Sequence, residues 1–297
     1  MAAAAASDDA SVLDVQTSFT LDDDGRCVPT ARLAPPLLHW HPGHGWTHDR
    51  PAHDPDAAFL DLWLPVASAS HLRPLVIGHL GQSLDGFIAT TSGESQFVTG
   101  EANLLHLHRL RAMCDAIVVG AGTVAADDPQ LTTRRVAGRN PLRVVLDPQC
   151  RLTPSARLFT DPSAETVVVT AVPAAGRVGD ASVVTCSDGA GGIHLGSVLA
   201  LLRVRGCHRI FVEGGGVTVS RFLDAGLLDR LQIAVAPLII GSGRPAVQVA
   251  PRASLGACAR PATRAYRMGD DVLFDCDLRA THQSSDAPSI TSLPAVD

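Results

Sequence analysis

The sequence has no lysine: all 24 of its basic side chains are arginine. Chemistry that needs a lysine amine is excluded, which removes Schiff-base enzymes, pyridoxal-phosphate enzymes and Walker-type phosphate loops. Glutamate is scarce as well, with Glu94, Glu101, Glu165 and Glu213 set against 26 aspartates. The heavy use of Arg and Ala marks a compositional bias, so the missing lysine is not in itself a functional signal. Aromatic residues make up 4% of the 297 positions and hydrophobic residues 46%. The core must therefore be built mainly from Val, Leu, Ile and Ala, in one large domain or two small ones.

Other absences narrow the class. The net charge is −6 and the pI about 6.0, so no nucleic-acid surface is expected. A local basic pocket for a phosphorylated small molecule remains open. Seven cysteines are scattered without a Cys-x-x-Cys pair, which argues against a disulfide scaffold and for a reducing cytoplasm. The start, Met1 and five alanines running into Asp8 and Asp9, lacks the cationic and apolar regions of a signal peptide. No apolar run reaches the ~18 residues of a membrane span. The expectation is a soluble, cytoplasmic protein with no membrane partner.

The chain divides by composition. Residues 1–73 read as an irregular N-terminal extension, Ala-rich and acidic at first, then His/Pro/Gly-rich from Leu38 to Trp46. Phe59 to Leu64 offers an apolar face there, and all three tryptophans (Trp40, Trp46, Trp63) fall in this segment, which suggests docking. Its histidines, His39, His41, His44, His48 and His53, lack Cys or Glu partners and predict a flexible surface segment, so no metal is expected. Residues 281–297 are Ser/Pro/Asp-rich and predict a disordered tail. Between them, residues 74–280 alternate strand-like and helix-like pieces. Strand runs are Leu75–Leu80, Ala116–Gly120, Arg143–Leu146, Thr166–Val169, Arg209–Val212, Leu231–Val235 and Asp271–Asp275. Helical pieces are Glu101–Cys114, with Leu104, Leu107, Leu110 and Met113 at helical spacing and Thr99 as N-cap, then Leu195–Arg205 and Val217–Ala225. The alternation predicts α/β architecture with a mainly parallel sheet flanked by helices.

Two glycine-rich junctions carry chemistry. The strand ending in Glu213-Gly214-Gly215-Gly216 runs directly into a helix. Glycines let the backbone approach a ligand closely, and a helix N-terminus offers N–H groups to an anion. This is a phosphate or dinucleotide cradle, although a plain tight turn has the same pattern, and it is not the G-x-G-x-x-G fingerprint. In Asp115 to Pro129 a strand opens into a turn with Gly122, Thr123 and paired Asp127 and Asp128. These groups suit a phosphate or a ribose hydroxyl, and equally a capped helix. Arg111 and Arg134 could bind phosphate through their guanidinium forks, but their spacing alone does not select them.

Taken in order, the motifs resemble the reductase domain of the bifunctional riboflavin-pathway deaminase–reductase over about residues 74–278. They are Ser83-Leu84-Asp85-Gly86, Ser95-Gln96-Phe97-Val98-Thr99-Gly100, His108-Arg109-Leu110-Arg111, Gly122-Thr123 to Arg134, Pro141 to Asp147, and Glu213 to Gly216, with Pro237 and Gly241 closing the series. The resemblance implies a dihydrofolate-reductase-like fold, NADPH as cofactor and a homodimer. It places Gly81, Phe97, Thr123, Asp127 and Gly215 to Arg221 at the cofactor, with Gly214, Gly216, Val217 and Thr218 in that cradle. It places Ser95, Arg111, Leu131, Arg134 and Glu213 at the substrate, with Ser95 and the arginines on its phosphate. The implied reaction converts 5-amino-6-(5-phosphoribosylamino)uracil to the ribitylamino form by hydride transfer to the sugar C1′. Glu213 and His79 would be the polar groups nearest that carbon.

The sequence departs from the family at three points. His79 stands where the family has lysine, Phe97 where it has tryptophan, and Pro148 where it has serine. A histidine can carry charge or donate a hydrogen bond near neutrality, so activity is expected to rise as His79 becomes cationic. No His-x-Glu with a downstream Pro-Cys-x-x-Cys is present, so these residues cannot build a zinc deamination site. Two alternatives are a reductase of the same fold acting on a pterin, folate or other heterocycle, and an inactive nucleotide-binding protein.

Overall fold

The computed structural model describes residues 16–21, 27–29, 37–174, 176–279 and 290–292. The N-terminal segment is not irregular where it is described. Strands β1 (Thr17–Leu21), β2 (Cys27–Pro29), β3 (Leu38–His41) and β4 (Gly45–His48) form an antiparallel sheet in the order β2-β1-β3-β4. Its β3–β4 turn works because Gly43 (φ +73°) and Gly45 (φ +98°) take positive φ. Helix α1 (Pro55–Ala67) follows, with Asp54 capping it by accepting from the Asp56 N–H at 2.9 Å. What composition hid is how few apolar residues are needed. Trp40 and Trp46 meet edge to face at 5.3 Å, and Trp63, Leu62 and Val66 join the same core cluster as Phe211 and Tyr266.

The main sheet begins with β5 (Leu75–Ser83), and a short strand, β6 (Phe87–Thr90), follows the Asp85-Gly86 turn. Next come α2 (Glu101–Met113), β7 (Ala116–Gly120), α3 (Ala121–Asp127), β8 (Leu142–Leu146), the short α4 (Arg157–Thr160) and β9 (Thr166–Thr170). Strands β10 (Arg177–Val178) and β11 (Ala181–Thr185) precede α5 (Leu195–Val204), β12 (Arg209–Glu213) and α6 (Gly216–Asp224). Strands β13 (Arg230–Ala236), β14 (Gly243–Pro245), β15 (Ala262–Met268), β16 (Asp271–Asp277) and β17 (Ile290–Ser292) close the chain.

Eleven strands pair in the order β10-β11-β9-β8-β7-β12-β5-β13-β16-β15-β17. From β11 to β13 all neighbours are parallel, whereas β16 is antiparallel to both β13 and β15. The expected α/β architecture, a mainly parallel central sheet flanked by helices, is the one observed. Alternate residues of each central strand enter opposite cores. Ile117 and Val119 pack with the α1 side, while Ala116 and Val118 pack with Val198, Leu202 and Phe222 of α5 and α6. Most of the expected tail lies outside the described residues, but Ile290–Ser292 pairs in parallel with β15.

Candidate active site

All the parallel strands run the same way, so their C-terminal ends share one edge, where α/β proteins place ligand crevices. A cleft of about 720 Å³ opens there, of a size that suits a large cofactor or ligand. Its lining includes Gly81 from β5, Gly120 at the end of β7, Leu146 from β8 and Gly214 to Thr218 at the start of α6.

The glycine cradle has the geometry expected of it. Gly214 (φ +70°) and Gly215 (φ +67°) are left-handed, with Gly215 as the N-cap of α6. A Cβ on Gly215 would lie 2.8 Å from Thr123 Oγ1, and one on Gly216 would lie 2.3 Å from the Ala246 carbonyl oxygen. The turn therefore admits no side chain on either glycine and leaves its backbone bare to the cleft. Gly122 and Thr123, expected in a turn, instead lie in α3, whose N-cap is Gly120. Thr123 and Asp127 still line the cleft, and Ser95 donates to Asp127 Oδ1 at 3.4 Å. Bare backbone, a helix N-terminus and a cleft of this volume fit a nicotinamide dinucleotide.

Behind the cleft, three registered residues on adjacent parallel strands, Glu213 (β12), His79 (β5) and Gln232 (β13), stand side by side. Each is met by a side chain from α2. Arg111 forks onto Glu213, with Nε donating to Oε2 at 2.8 Å and Nη2 to Oε1, while Nη1 reaches the Thr132 carbonyl at 3.2 Å. His79 Nε2 donates to Asn103 Oδ1 at 3.0 Å, and His106 Nε2 donates to Gln232 Oε1 at 2.7 Å. The inward face of α2 is thus polar, with Asn103, His106, His108 and Arg111 buried beside Leu110 and Met113. Leucine spacing predicted otherwise: Leu104 is only half-buried and Leu107 faces the cleft. The helix is capped at Gly100, not Thr99, and the Gly100 N–H donates to Asp271 at 2.7 Å.

His79 is 2% exposed, and burial, reinforced by His106, pushes its pKa down to about 3. Its hydrogen-bond partner is the neutral Asn103 carboxamide, and the carboxylate of its strand neighbour Glu213 is engaged by Arg111. The expectation that His79 becomes cationic near neutrality is therefore corrected: it is a neutral imidazole at working pH. Burial likewise brings His106 to about 4, and burial together with Arg111 and Arg134 brings His108 to about 4.

The remaining candidates divide between cleft and rim. Leu131 is buried in the cleft wall in a left-handed conformation (φ +55°). Arg111 and Arg134 do not line the cleft: Arg111 is engaged by Glu213, and Arg134 is exposed, donating to Thr132 Oγ1 at 2.6 Å. Desolvation and the like charges of Arg111 and Arg157 hold the Arg134 guanidinium below its ordinary pKa. Phe97 is 89% exposed, left-handed (φ +64°), and outside the cleft lining. Pro148 lies in the lining. Sequence reasoning missed Asn103 and Arg244, and Arg244 joins Arg221 as a cation in the cleft wall. A cationic residue four positions after Pro-Leu-Ile-Ile is no signal on its own, since the pairing of β14 with β6 exists only in the folded chain.

The geometry is that of an α/β protein with a glycine-lined cleft at the strand ends, adjoining a fixed, charged polar row. The family model described as the RibD C-terminal domain matches residues 74–271, and the chain belongs to that family, as an oxidoreductase with a nicotinamide cofactor and a small-molecule substrate. The 2,5-diamino-6-ribosylamino-4(3H)-pyrimidinone 5′-phosphate reductase of Methanothermobacter thermautotrophicus is 35% identical over 215 residues, covering 69% of this chain and 98% of that protein. The riboflavin biosynthesis protein RibD of Bacillus amyloliquefaciens is 37% identical over 175 residues, covering 57% of this chain and 47% of that protein. The deaminase/reductase structure from Thermotoga maritima superposes with a TM-score of 0.60 at 27% identity, covering 74% of this chain and 59% of that one. The chain thus spans nearly all of the archaeal enzyme and roughly half of the bifunctional ones. Among the described residues no helix is long and apolar enough to cross a membrane.

Proposed function

We propose that the protein is an NADPH-dependent reductase that converts 5-amino-6-(5-phosphoribosylamino)uracil to its ribitylamino form, acting in the cytoplasm as a homodimer. The observation that carries this reading is the juxtaposition of the Gly214–Gly216 cradle with the Glu213–Arg111 ion pair at one cleft edge. The archaeal relative is named for the 2-amino form of the same phosphoribosylated pyrimidine, so the ribose and phosphate are the features common to both substrates.

Gly81, Thr123, Asp127, Gly214, Gly215, Gly216, Val217 and Thr218 would hold the cofactor, and Arg221 and Arg244 supply cleft-wall cations suited to its phosphates. When bound, NADPH supplies the hydride. Phe97 would reach the nicotinamide only by turning inward from its exposed position. On the substrate side, Ser95, Leu131 and Arg134 would seat the ribose phosphate at the rim. Arg111 would act from behind, fixing the Glu213 carboxylate.

The sugar ring opens as its C1′–O4′ bond breaks, leaving a C1′=N imine on the pyrimidine amine, with a proton passing to O4′. A hydride equivalent, two electrons with one proton, then adds at C1′ while the C=N π pair moves onto the nitrogen, which takes a second proton. Glu213, held in one orientation, would accept a hydrogen bond from the amine as charge develops there. His79 would contribute a neutral polar edge and no acid. Titrating purified protein with NADPH and with NADH by calorimetry tests the cofactor and its specificity, and substrate-dependent NADPH oxidation tests the reaction.

A further inference from the structure

Asn103 and Thr99, which join His79 in one hydrogen-bond chain at the cleft, have no part in the scheme above. Asn103 Nδ2 donates to Thr99 Oγ1 at 2.9 Å, and Asn103 Oδ1 accepts from His79 Nε2 at 3.0 Å. A carboxamide has fixed polarity: one end only donates and the other only accepts. With its nitrogen given to Thr99, its oxygen must receive a proton from His79. His79 therefore carries its hydrogen on Nε2.

The same logic sets Thr99. Its oxygen accepts from Asn103, and among the described residues no protein acceptor takes its own proton. Thr99, Asn103 and His79 all line the cleft beside Gly81, where an added Cβ would lie 2.8 Å from Thr99 Cγ2 and 3.1 Å from Oγ1. The absent Gly81 side chain thus leaves room for Thr99, whose side chain packs against that bare backbone as part of the cleft wall. Burial and His106 oppose a charge on His79 and outweigh its hydrogen bond to Asn103. Asn103 and His106 face it from α2, Phe211 from β12 lies edge-on at 6.5 Å, and its strand neighbours Glu213 and Gln232 are engaged by Arg111 and His106.

We propose that Asn103 is a positioning residue: by bridging His79 and Thr99, it turns the Thr99 hydroxyl proton into the cleft to donate to an acceptor oxygen of the ligand bound there. This rests on the cofactor-and-substrate reading of the cleft. The acceptor is a carbonyl or hydroxyl oxygen, belonging either to the carboxamide of the cofactor or to the pyrimidine substrate.

The test uses the full chain. Thr99→Val removes the hydroxyl and keeps the shape, so it should weaken one ligand about tenfold, the ordinary value of one such bond, and Thr99→Ser should restore it. Asn103→Asp leaves only acceptors, draws the Thr99 proton back from the cleft and should match Thr99→Val, and the double variant should lose no more than either. Calorimetry with NADPH alone reads the cofactor arm, and the substrate KM reads the other. Nitrogen NMR of the His79 ring should show Nε2–H. The Nδ1–H tautomer, unchanged affinity of Thr99→Val for both ligands, or additive losses would overturn the proposal. Failure of the wild-type protein to bind NADPH would instead overturn the proposed function, since the tautomer reading does not depend on it.

Discussion

Arg111 and Glu213 are 102 residues apart in sequence and form a two-pronged ion pair in the half-light between core and cleft, their side chains 8% and 13% exposed. Removing either partner leaves a buried charge without compensation, which typically costs about 3–5 kcal/mol. Arg111→Ala should therefore lower stability by roughly that amount, measured by denaturant unfolding, and cut kcat/KM by ~10²-fold or more. Arg111→Lys keeps the charge but loses the fork, and should fall between. A wild-type kcat/KM in Arg111→Ala would remove Glu213 positioning from the account.

The buried histidines predict how stability depends on pH. His79 titrates at about 3 and His106 at about 4 when folded, against an ordinary value near 6.5. Unfolded chains therefore bind more protons than folded ones below that value. Stability from these groups is fully present above pH 6.5 and is lost as the pH falls toward their folded values. Unfolding free energies measured at pH 7.5 and 5 should differ, and His106→Gln should reduce the difference. The rate, by contrast, should show no ionisation of His79 between pH 6 and 9. A rate that climbs as pH drops through 6.5 and loses that climb in His79→Asn would contradict the neutral assignment.

The cradle predicts a steric contrast among glycines. Gly215→Val places a branched side chain against Thr123 in a left-handed backbone, and should abolish NADPH binding in a calorimetric titration. Gly176→Ala meets nothing within 4 Å and lies outside the cleft lining, and should leave binding and folding near wild type.

The N-terminal segment should prove integral to the reductase domain. Trp63 is 5% exposed and its ring lies 4.9 Å from that of His106, which in turn contacts His79. Trp63→Ala should cost about 3–5 kcal/mol of stability, as large-to-small core changes do. Denaturant unfolding checks this, and a loss below about 1 kcal/mol would show that the segment docks only superficially.

The sheet was legible because its strands are short apolar runs rich in β-branched residues, such as Ala116–Gly120 and Thr166–Thr170, buried on both faces. The cradle was legible because three consecutive glycines between a strand and a helix have few structural uses. Helix α2 was misread on its inner face. Leucine periodicity carries the usual signal of burial, but here Asn103, His106 and Arg111 turn inward because His79, Gln232 and Glu213 wait for them on three strands, 24, 126 and 102 residues away in sequence. No local pattern encodes that match. The N-terminal strands were missed for a related reason: each is short, and their pairing and the docking of Trp40, Trp46 and Trp63 exist only in the folded chain.

The central claim is most directly tested by mixing the purified full chain with NADPH and 5-amino-6-(5-phosphoribosylamino)uracil and following both NADPH and the pyrimidine product. The account predicts one NADPH oxidised per ribitylamino product formed, with the turnover lost in Gly215→Val and Glu213→Gln. NADPH that binds but is not oxidised by this pyrimidine or its 2-amino counterpart would contradict it.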